Sequence, residues 1–285
     1  MKQLIALALG LAVFAACQPT KETTTEKKAP TLTQKWESDT LLTTCESVLY
    51  DKNADVLYVA DIAGKPDSLD GVGYISKLGL DGKIVDAQWV KGLNAPKGMG
   101  MANGKLYVAD VNTLVEIDPA TGTISNKFPV EGAQFLNDVT TDASGKVYVS
   151  DSNTGVVSVL ENGTVTSYLT GIAGPNGLLA DGDTFLVAQF GEGKLNTLDA
   201  SKQLVLKADS VENADGIEAV GDGGYLVSSW NGKITYVAPD GSTTVILDTT
   251  SGKISAADIE YIPEKKLLLI PTFFANKVVA YELSN

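Results

Sequence analysis

Six polar residues stand at matching positions along the chain, and their types could bind a metal ion or move protons. Each precedes a β-rich run; they are Glu46, Lys97, Asn137, Asn176, Asp215 and Asp258. Together they offer three carboxylates, two amides and one ammonium. Oxygen donors of this kind suit a hard cation such as Ca²⁺, which accepts about six to eight oxygens in irregular geometry. The set therefore favours a divalent cation, with Ca²⁺ as the expected ion.

Composition restricts the chemistry further. The chain contains no histidine, which removes Ser-His-Asp hydrolysis and every histidine general base. Zinc, copper and iron prefer nitrogen or sulfur ligands, so they fit this donor set poorly. The formal net charge of −13 would repel a phosphate backbone, and we expect no nucleic-acid partner. A small molecule is the expected ligand, and catalysis would have to use carboxylates, lysine, tyrosine or a metal.

The six residues are positioned by a repeat of about forty residues, the length of one four-stranded propeller blade. Six segments share an outline in which an apolar stretch and a turn lead into a strand with a polar end, such as Leu57-Tyr58-Val59-Ala60 before Asp61. β-Branched and aromatic residues fill these runs, and turn pairs such as Asn103-Gly104 separate them. We therefore predict an all-β, six-bladed β-propeller over residues 35–285. The loops that enter the innermost strands would bring the six residues together at one mouth of the central channel.

Several segments resemble the gluconolactonase/regucalcin family, also called the senescence marker protein family. CESVLYDKNADVLYVADI, from Cys45 to Ile62, resembles its first-blade segment, whose Glu binds the metal. Leu136-Asn137-Asp138, Pro175-Asn176-Gly177 and Ala214-Asp215-Gly216 resemble three further family segments that surround the metal. A separate resemblance to NHL repeats is carried by Ala95 to Asp118, APKGMGMANGKLYVADVNTLVEID.

The family resemblance implies a metal-dependent hydrolase of a lactone or related ester. Glu46, Asn137, Asn176 and Asp215 would be the metal ligands. Asp215 and Lys97 would be the catalytic residues, as a base and as a stabiliser of negative charge. Asn137, Lys97 and Asp258 would contact the substrate. The chain departs from the family pattern at Phe135, where well-studied members carry a substrate-binding Arg, and at Ala214, where they carry Pro. Lys97 and Asp258 are also outside the family pattern, so their expected roles come from their charge and position and not from the resemblance.

Three alternatives stay open at this point. Asn-Asp, Asn-Gly and Asp-Gly are common turn pairs, so turn formation alone could explain Asn137, Asn176 and Asp215, although not Glu46. Lys97 could pair with Asp258 or a neighbouring acid instead of contacting substrate. At the level of function, the alternative is a non-catalytic NHL-like propeller that binds a sugar, a peptide or an envelope protein.

The N-terminal sequence indicates export. Residues 1–16 read MKQLIALALGLAVFAA, a lysine followed by a short apolar run that ends in small residues, which is typical of a signal peptide. Cys17 follows and resembles the lipidated cysteine of a bacterial lipobox. Residues 17–34 contain one large apolar residue, Leu32, and are predicted to be a flexible tether. We expect a monomeric protein of the cell envelope, attached only through its lipid and destined for the outer membrane.

Overall fold

A computed structural model describes residues 28–284, which form twenty-four β-strands and two single-turn 3₁₀ helices. In chain order the strands are β1 (Thr31–Glu37), β2 (Cys45–Asp51), β3 (Val56–Asp61), β4 (Gly73–Leu78), β5 (Ile84–Leu93), β6 (Pro96–Ala102), β7 (Lys105–Asp110), β8 (Thr113–Asp118), β9 (Thr123–Pro129), β10 (Leu136–Thr141), β11 (Val147–Asp151), β12 (Val156–Glu161), β13 (Thr164–Leu169), β14 (Pro175–Asp181), β15 (Thr184–Gln189), β16 (Lys194–Leu198), β17 (Leu204–Ala208), β18 (Ala214–Ala219), β19 (Tyr225–Ser229), β20 (Lys233–Val237), β21 (Thr243–Asp248), β22 (Glu260–Ile262), β23 (Leu267–Pro271) and β24 (Val278–Ser284). The helical turns are Thr250–Gly252 and Pro263–Lys265.

The strands assemble into six four-stranded antiparallel sheets, and the predicted six-bladed β-propeller is confirmed. Five sheets use four consecutive strands each, from β2–β5 to β18–β21. Tight turns join neighbouring strands at left-handed residues such as Asn103 (φ 52°) and Gly104 (φ 73°), as the Asn-Gly pair predicts. The predicted signal peptide, Cys17 and the first part of the predicted tether lie outside the described residues.

The sixth sheet closes the ring with strands from both ends of the chain, in the order β1-β24-β23-β22. The propeller therefore begins at Thr31, four residues before the boundary at 35 that the sequence predicts. Leu32 is the one large apolar residue between Cys17 and Gln34. It packs partly buried against the core of the last blade, while β24 supplies the backbone hydrogen bonds. An outermost strand needs little apolar surface of its own because its partner satisfies the backbone.

The hydrophobic core lies between blades. Tyr58 and Ile75 of the first blade pack with Met99, Leu106 and Val108 of the second. Another buried cluster joins the first blade to the last and so completes the ring. Burial of this kind is the main stabilising contribution to such a fold. Within residues 28–284 no helix is long and apolar enough to cross a membrane.

The innermost strands of the six blades, β2, β6, β10, β14, β18 and β22, surround the central channel. Near the start of each of the first five, the pairing with the next strand shifts register, as between Leu136 and Val139 in β10. Such bulges redirect a side chain out of the regular alternation of a strand. The channel entrance is therefore built from irregular backbone at equivalent positions of neighbouring blades.

Candidate functional site

Five of the six sequence-predicted polar residues meet in one cavity at the start of the innermost strands. Each is the second residue of its strand, and all five line the cavity: Glu46 in β2, Lys97 in β6, Asn137 in β10, Asn176 in β14 and Asp215 in β18. We call these five residues the mouth ring and the 540 Å³ space above them the mouth cavity. All five are at least nine-tenths buried. The predicted convergence of these five side chains is therefore confirmed in the geometry of the fold.

Asp258 is not part of the mouth ring, and its predicted place there is wrong. Seven residues separate Glu218 of β18 from its partner Leu226 of β19, whereas eight separate Glu260 of β22 from its partner Leu269 of β23. The extra residue puts Ala257 in the sixth position, while Asp258 packs against Gly216 at the next level. Asp258 instead lies one step deeper in the channel, where its Oδ2 accepts a hydrogen bond of 2.7 Å from the Ser47 hydroxyl. It lines a second cavity at the other end of the channel and does not line the mouth cavity.

Hydrogen bonds within the mouth ring leave some acceptors unused. The Asn176 amide donates to Asp215 Oδ1 at 3.0 Å, and the Asn137 amide donates to the Ser152 hydroxyl at 3.1 Å. Glu46 Oε2 and Asn176 Oδ1 are buried and have no hydrogen-bond partner. Buried acceptors without a partner are rare in proteins and each one calls for a physical reason. Here the reason is that both residues belong to the floor of a cavity, where a ligand can supply the partner.

Burial and like charge act on the carboxyl groups of the mouth ring in the same direction. Burial raises the pKa of Asp215 to about 8, with a further contribution from the nearby charge of Asp138. The pKa of Glu46 is also raised, mainly by burial and then by Asp215, while Lys97 opposes the rise. A cation on the floor would offset both effects, since positive charge favours the ionised form of a carboxyl group.

Lys97 is held in place by its surroundings. Its Nζ donates to the backbone oxygens of Pro66 at 2.8 Å and Ala95 at 3.0 Å, and it lies 4.3 Å from the centre of the Phe135 ring. Burial lowers its pKa to about 8, although the nearby Glu46 charge opposes this. Its ammonium hydrogens thus have two carbonyl acceptors and an aromatic face as partners. Lys97 is therefore a fixed positive charge in the cavity floor, and among the described residues it forms no ion pair with Asp258.

The chemistry of the mouth ring fits an oxygen-coordinated cation. Glu46 and Asp215 are carboxylates, and Asn137 and Asn176 add amide oxygens. Within residues 28–284 no three Asp, Glu, Cys or His side chains come together as a metal cluster, so the two amides would be needed as ligands. Flexible mixed sets of this type suit Ca²⁺ more than smaller ions with strict geometry. The two unpartnered oxygens, on Glu46 and Asn176, are the donors best placed to accept a cation.

The walls of the mouth cavity are apolar, which the sequence analysis missed. Five aromatic residues line them: Phe135, Phe190, Trp230, Phe273 and Phe274. A signal was available in the sequence. Phe190 and Trp230 each come directly after the polar residue that ends the second strand of a blade, and Phe273 follows Thr272, the polar residue just after β23. Since that polar residue marks the mouth end of the strand, the next residue has to lie beside the entrance.

These observations define a six-bladed β-propeller with a polar-floored, apolar-walled cavity at one mouth of its channel. No protein-family model matches the chain, and no curated protein matches it in sequence. Solved structures do match. A gluconolactonase from Xanthomonas campestris is 15% identical, with a TM-score of 0.66, and the match covers 90% of this chain and 96% of that one. A luciferin-regenerating enzyme is 14% identical, with the same TM-score and the same coverage of both chains.

A catalytically inactive virginiamycin B lyase from Staphylococcus aureus, solved with quinupristin, is also similar. It is 13% identical with a TM-score of 0.63, over 89% of this chain and 99% of that one. The inactivating change in that protein replaces a histidine by alanine, whereas the present chain has no histidine. At these identities the similarities establish a shared fold.

Proposed function

We propose that this protein is a metal-dependent hydrolase of a lactone or related ester, with Ca²⁺ on the floor of the mouth cavity. One observation carries the proposal: the buried, unpartnered oxygens of Glu46 and Asn176 lie beside Asp215 at the bottom of an open cavity. Glu46, Asn137, Asn176 and Asp215 would hold the ion. When bound, it would polarise a substrate carbonyl and stabilise negative charge on its oxygen.

The roles of the chain's own side chains follow from their surroundings. Asp215 is buried, and its Oδ1 is oriented by the Asn176 amide, so its carboxylate can accept a proton from water at a fixed position. Asn137 is oriented by Ser152 and would position the substrate. Lys97 contributes a fixed positive charge that favours negative charge on a bound reactant. Asp258 has no part in this proposal, because it does not line the mouth cavity.

The metal is tested on the full-length protein purified in detergent. We expect one equivalent of divalent ion by elemental analysis and a melting temperature that chelator lowers and Ca²⁺ restores. A free Ca²⁺ concentration of a hundred times the dissociation constant adds about 2.7 kcal/mol to the free energy of unfolding. The Glu46→Gln substitution should remove most of that gain while leaving the apo protein folded. A protein without bound ion whose melting ignores both chelator and Ca²⁺ would rule out the metal.

The reaction is tested with a panel of lactones and aryl esters. Asp215→Asn should abolish hydrolysis, since it removes the base but keeps an oxygen ligand and the acceptor for Asn176. The matched control is Asp209→Asn, an exposed aspartate, which should retain full activity. If no member of the panel is turned over but a sugar, peptide or envelope protein binds at the mouth cavity, the non-catalytic alternative replaces this proposal.

We also propose that the mature protein is a lipoprotein of the outer membrane, acylated on Cys17. The first strand supports an orientation for it. β1 starts beside the end of β24, with Thr31 opposite Ser284, and runs toward the mouth, where Ser38 meets Val278. The chain thus enters the propeller at the end opposite the mouth cavity, which is the end from which the segment to a lipid anchor would leave. Cys17→Ser should release the protein from membranes; unchanged membrane fractionation would contradict the assignment.

A further inference from the structure

We infer that the ligand of the mouth cavity is an apolar, ring-containing lactone or ester and not a polyhydroxylated sugar lactone. The ester or lactone group rests on the function proposed above. The apolar body rests on the walls of the cavity alone, so the two parts can be tested separately.

The wall residues divide the mouth cavity into a polar floor and an apolar upper part. The floor consists of the mouth ring, and above it stand Phe135, Phe190, Trp230 and Phe274, joined by Ile62 and Pro66. A sugar lactone carries a hydroxyl on most of its carbons and needs hydrogen-bond partners on every side, because burying an unpaired hydroxyl is costly. Aromatic and aliphatic walls cannot supply those partners.

Apart from Asn153, an exposed residue of the lining, the polar side chains close to the walls are already engaged. The Ser152 hydroxyl donates to the Pro175 carbonyl at 2.8 Å and accepts from Asn137. The Lys97 ammonium is held by two carbonyl oxygens and by the face of Phe135. Among the residues that line the cavity, the buried acceptors without a partner are on the floor, on Glu46 and Asn176. The cavity therefore fits a ligand with one polar end and an apolar body.

Three aromatic rings form a corner that suits a flat ligand. Phe273 packs edge-to-face on Phe274, with ring centres 4.7 Å apart, and Trp230 meets these two rings at 5.6 and 6.0 Å. Phe273 is buried and anchors the corner in the core, whereas Phe274 is 68% exposed. A bound aromatic ring could cover Phe274 and gain both buried area and ring–ring contacts. The 540 Å³ of the cavity lies within the usual range for small-molecule sites, about 300–1,000 Å³.

The test compares two probes on the full-length protein in detergent: dihydrocoumarin, a lactone fused to an aromatic ring, and D-glucono-1,5-lactone. Binding is followed through the fluorescence of Trp230 in a Trp36→Phe, Trp89→Phe background, since the chain has three tryptophans and only this one lines the mouth cavity. We expect dihydrocoumarin to bind at least about tenfold more tightly than gluconolactone. Hydrolysis of both probes is measured on the unmodified protein.

Phe274→Ser should weaken dihydrocoumarin binding roughly five- to tenfold, because it removes exposed apolar wall without opening the core. Val85→Ser is the matched control, since Val85 is 64% exposed on the outermost strand of the first blade and should change nothing. Phe190→Ser is the second wall variant, and thermal melting confirms that each variant is folded. Equal losses in the Phe274 and Val85 variants would overturn the inference.

The outcomes separate the two proposals. Tight binding of dihydrocoumarin without hydrolysis of any lactone upholds the apolar ligand and refutes the hydrolase. Turnover of gluconolactone without binding of dihydrocoumarin upholds the hydrolase and overturns the apolar ligand. If neither probe changes the Trp230 signal or is hydrolysed, both proposals fail.

Discussion

The two ends of the central channel both carry carboxyl groups, yet their hydrogen bonding differs. Asp138 and Asp258, which line the second cavity and are called the inner acids, have hydrogen-bond donors. Asp138 accepts from the backbone N–H of Val139 and of Leu178, each at 2.6 Å, and Asp258 accepts from the Ser47 hydroxyl. At the mouth, Glu46 Oε2 and Asn176 Oδ1 accept from nothing. The inner acids thus join neighbouring blades, whereas the mouth acids face an open cavity. Asp61 Oδ1 is also buried without a partner, but Asp61 does not line the mouth cavity. Unpartnered acceptors on the floor of a cavity, and not the density of acidic residues, therefore mark the candidate site.

The sharpest test of this contrast is Asp138→Ala. The substitution leaves two buried N–H groups, those of Val139 and Leu178, without an acceptor. Such groups cost about 1–3 kcal/mol each, so we expect the free energy of unfolding to fall by about 2–5 kcal/mol in urea titrations. Asp138→Asn keeps one acceptor and should lose less. A loss below about 1 kcal/mol in Asp138→Ala would show that the inner acids do not hold the blades together.

Two buried carboxyl groups, those of Asp61 and Asp215, should also make the free energy of unfolding depend on pH in the absence of divalent ions. Burial raises the pKa of Asp61 and of Asp215 from the ordinary value of 3.8 to about 8. The folded protein therefore binds more protons than the unfolded chain between these values, and its stability is lost as pH rises from about 4 to 8. Each such group contributes up to about 1.4 kcal/mol per pH unit.

Urea titrations in chelator at pH 8, 7, 6 and 5 measure this effect. We expect the free energy of unfolding to increase on acidification through this range. Ca²⁺ should remove the pH dependence of stability that is due to Asp215, at the mouth. It should leave the pH dependence due to Asp61, whose Oδ2 accepts a hydrogen bond from Ser76 away from the cavity. The Asp61→Asn substitution should remove this remaining dependence. Stability that decreases from pH 8 to pH 5 would contradict the assignment of raised pKa values.

Much of this molecule could be predicted from its sequence because the repeat is local. Each blade is specified by its own strand runs and turn pairs, such as Asn103-Gly104, so the blade number and the convergence of Glu46 with Asp215 follow from counting repeats. The misplacement of Asp258 has a different origin. A hairpin lengthened by one residue leaves the strand pattern intact but moves a side chain to another level, and periodicity alone does not reveal it.

Ring closure and the cavity walls were harder to predict because they depend on contacts between distant parts of the chain. β1 is stabilised by β24, which lies at the opposite end of the sequence, so the single apolar residue Leu32 does not by itself predict a folded strand. The aromatic wall combines Phe135 with Phe273, which belong to different blades. Only the closed ring brings such residues together.

The smallest expected effect on stability comes from Asn137→Ala, the residue next to Asp138. Asn137 points to the mouth cavity, and its amide makes one hydrogen bond, to a Ser152 hydroxyl that also donates to Pro175. Water entering the cavity can replace that bond, so we expect a loss within about 1 kcal/mol in the same urea titrations. Ligand binding should respond in the opposite way: Ca²⁺ affinity and lactone turnover should both drop in Asn137→Ala. The two adjacent residues would then have different roles: Asp138 would stabilise the fold, and Asn137 would bind the ligand. A large stability loss with unchanged Ca²⁺ affinity would place Asn137 with the inner acids and remove it from the candidate site.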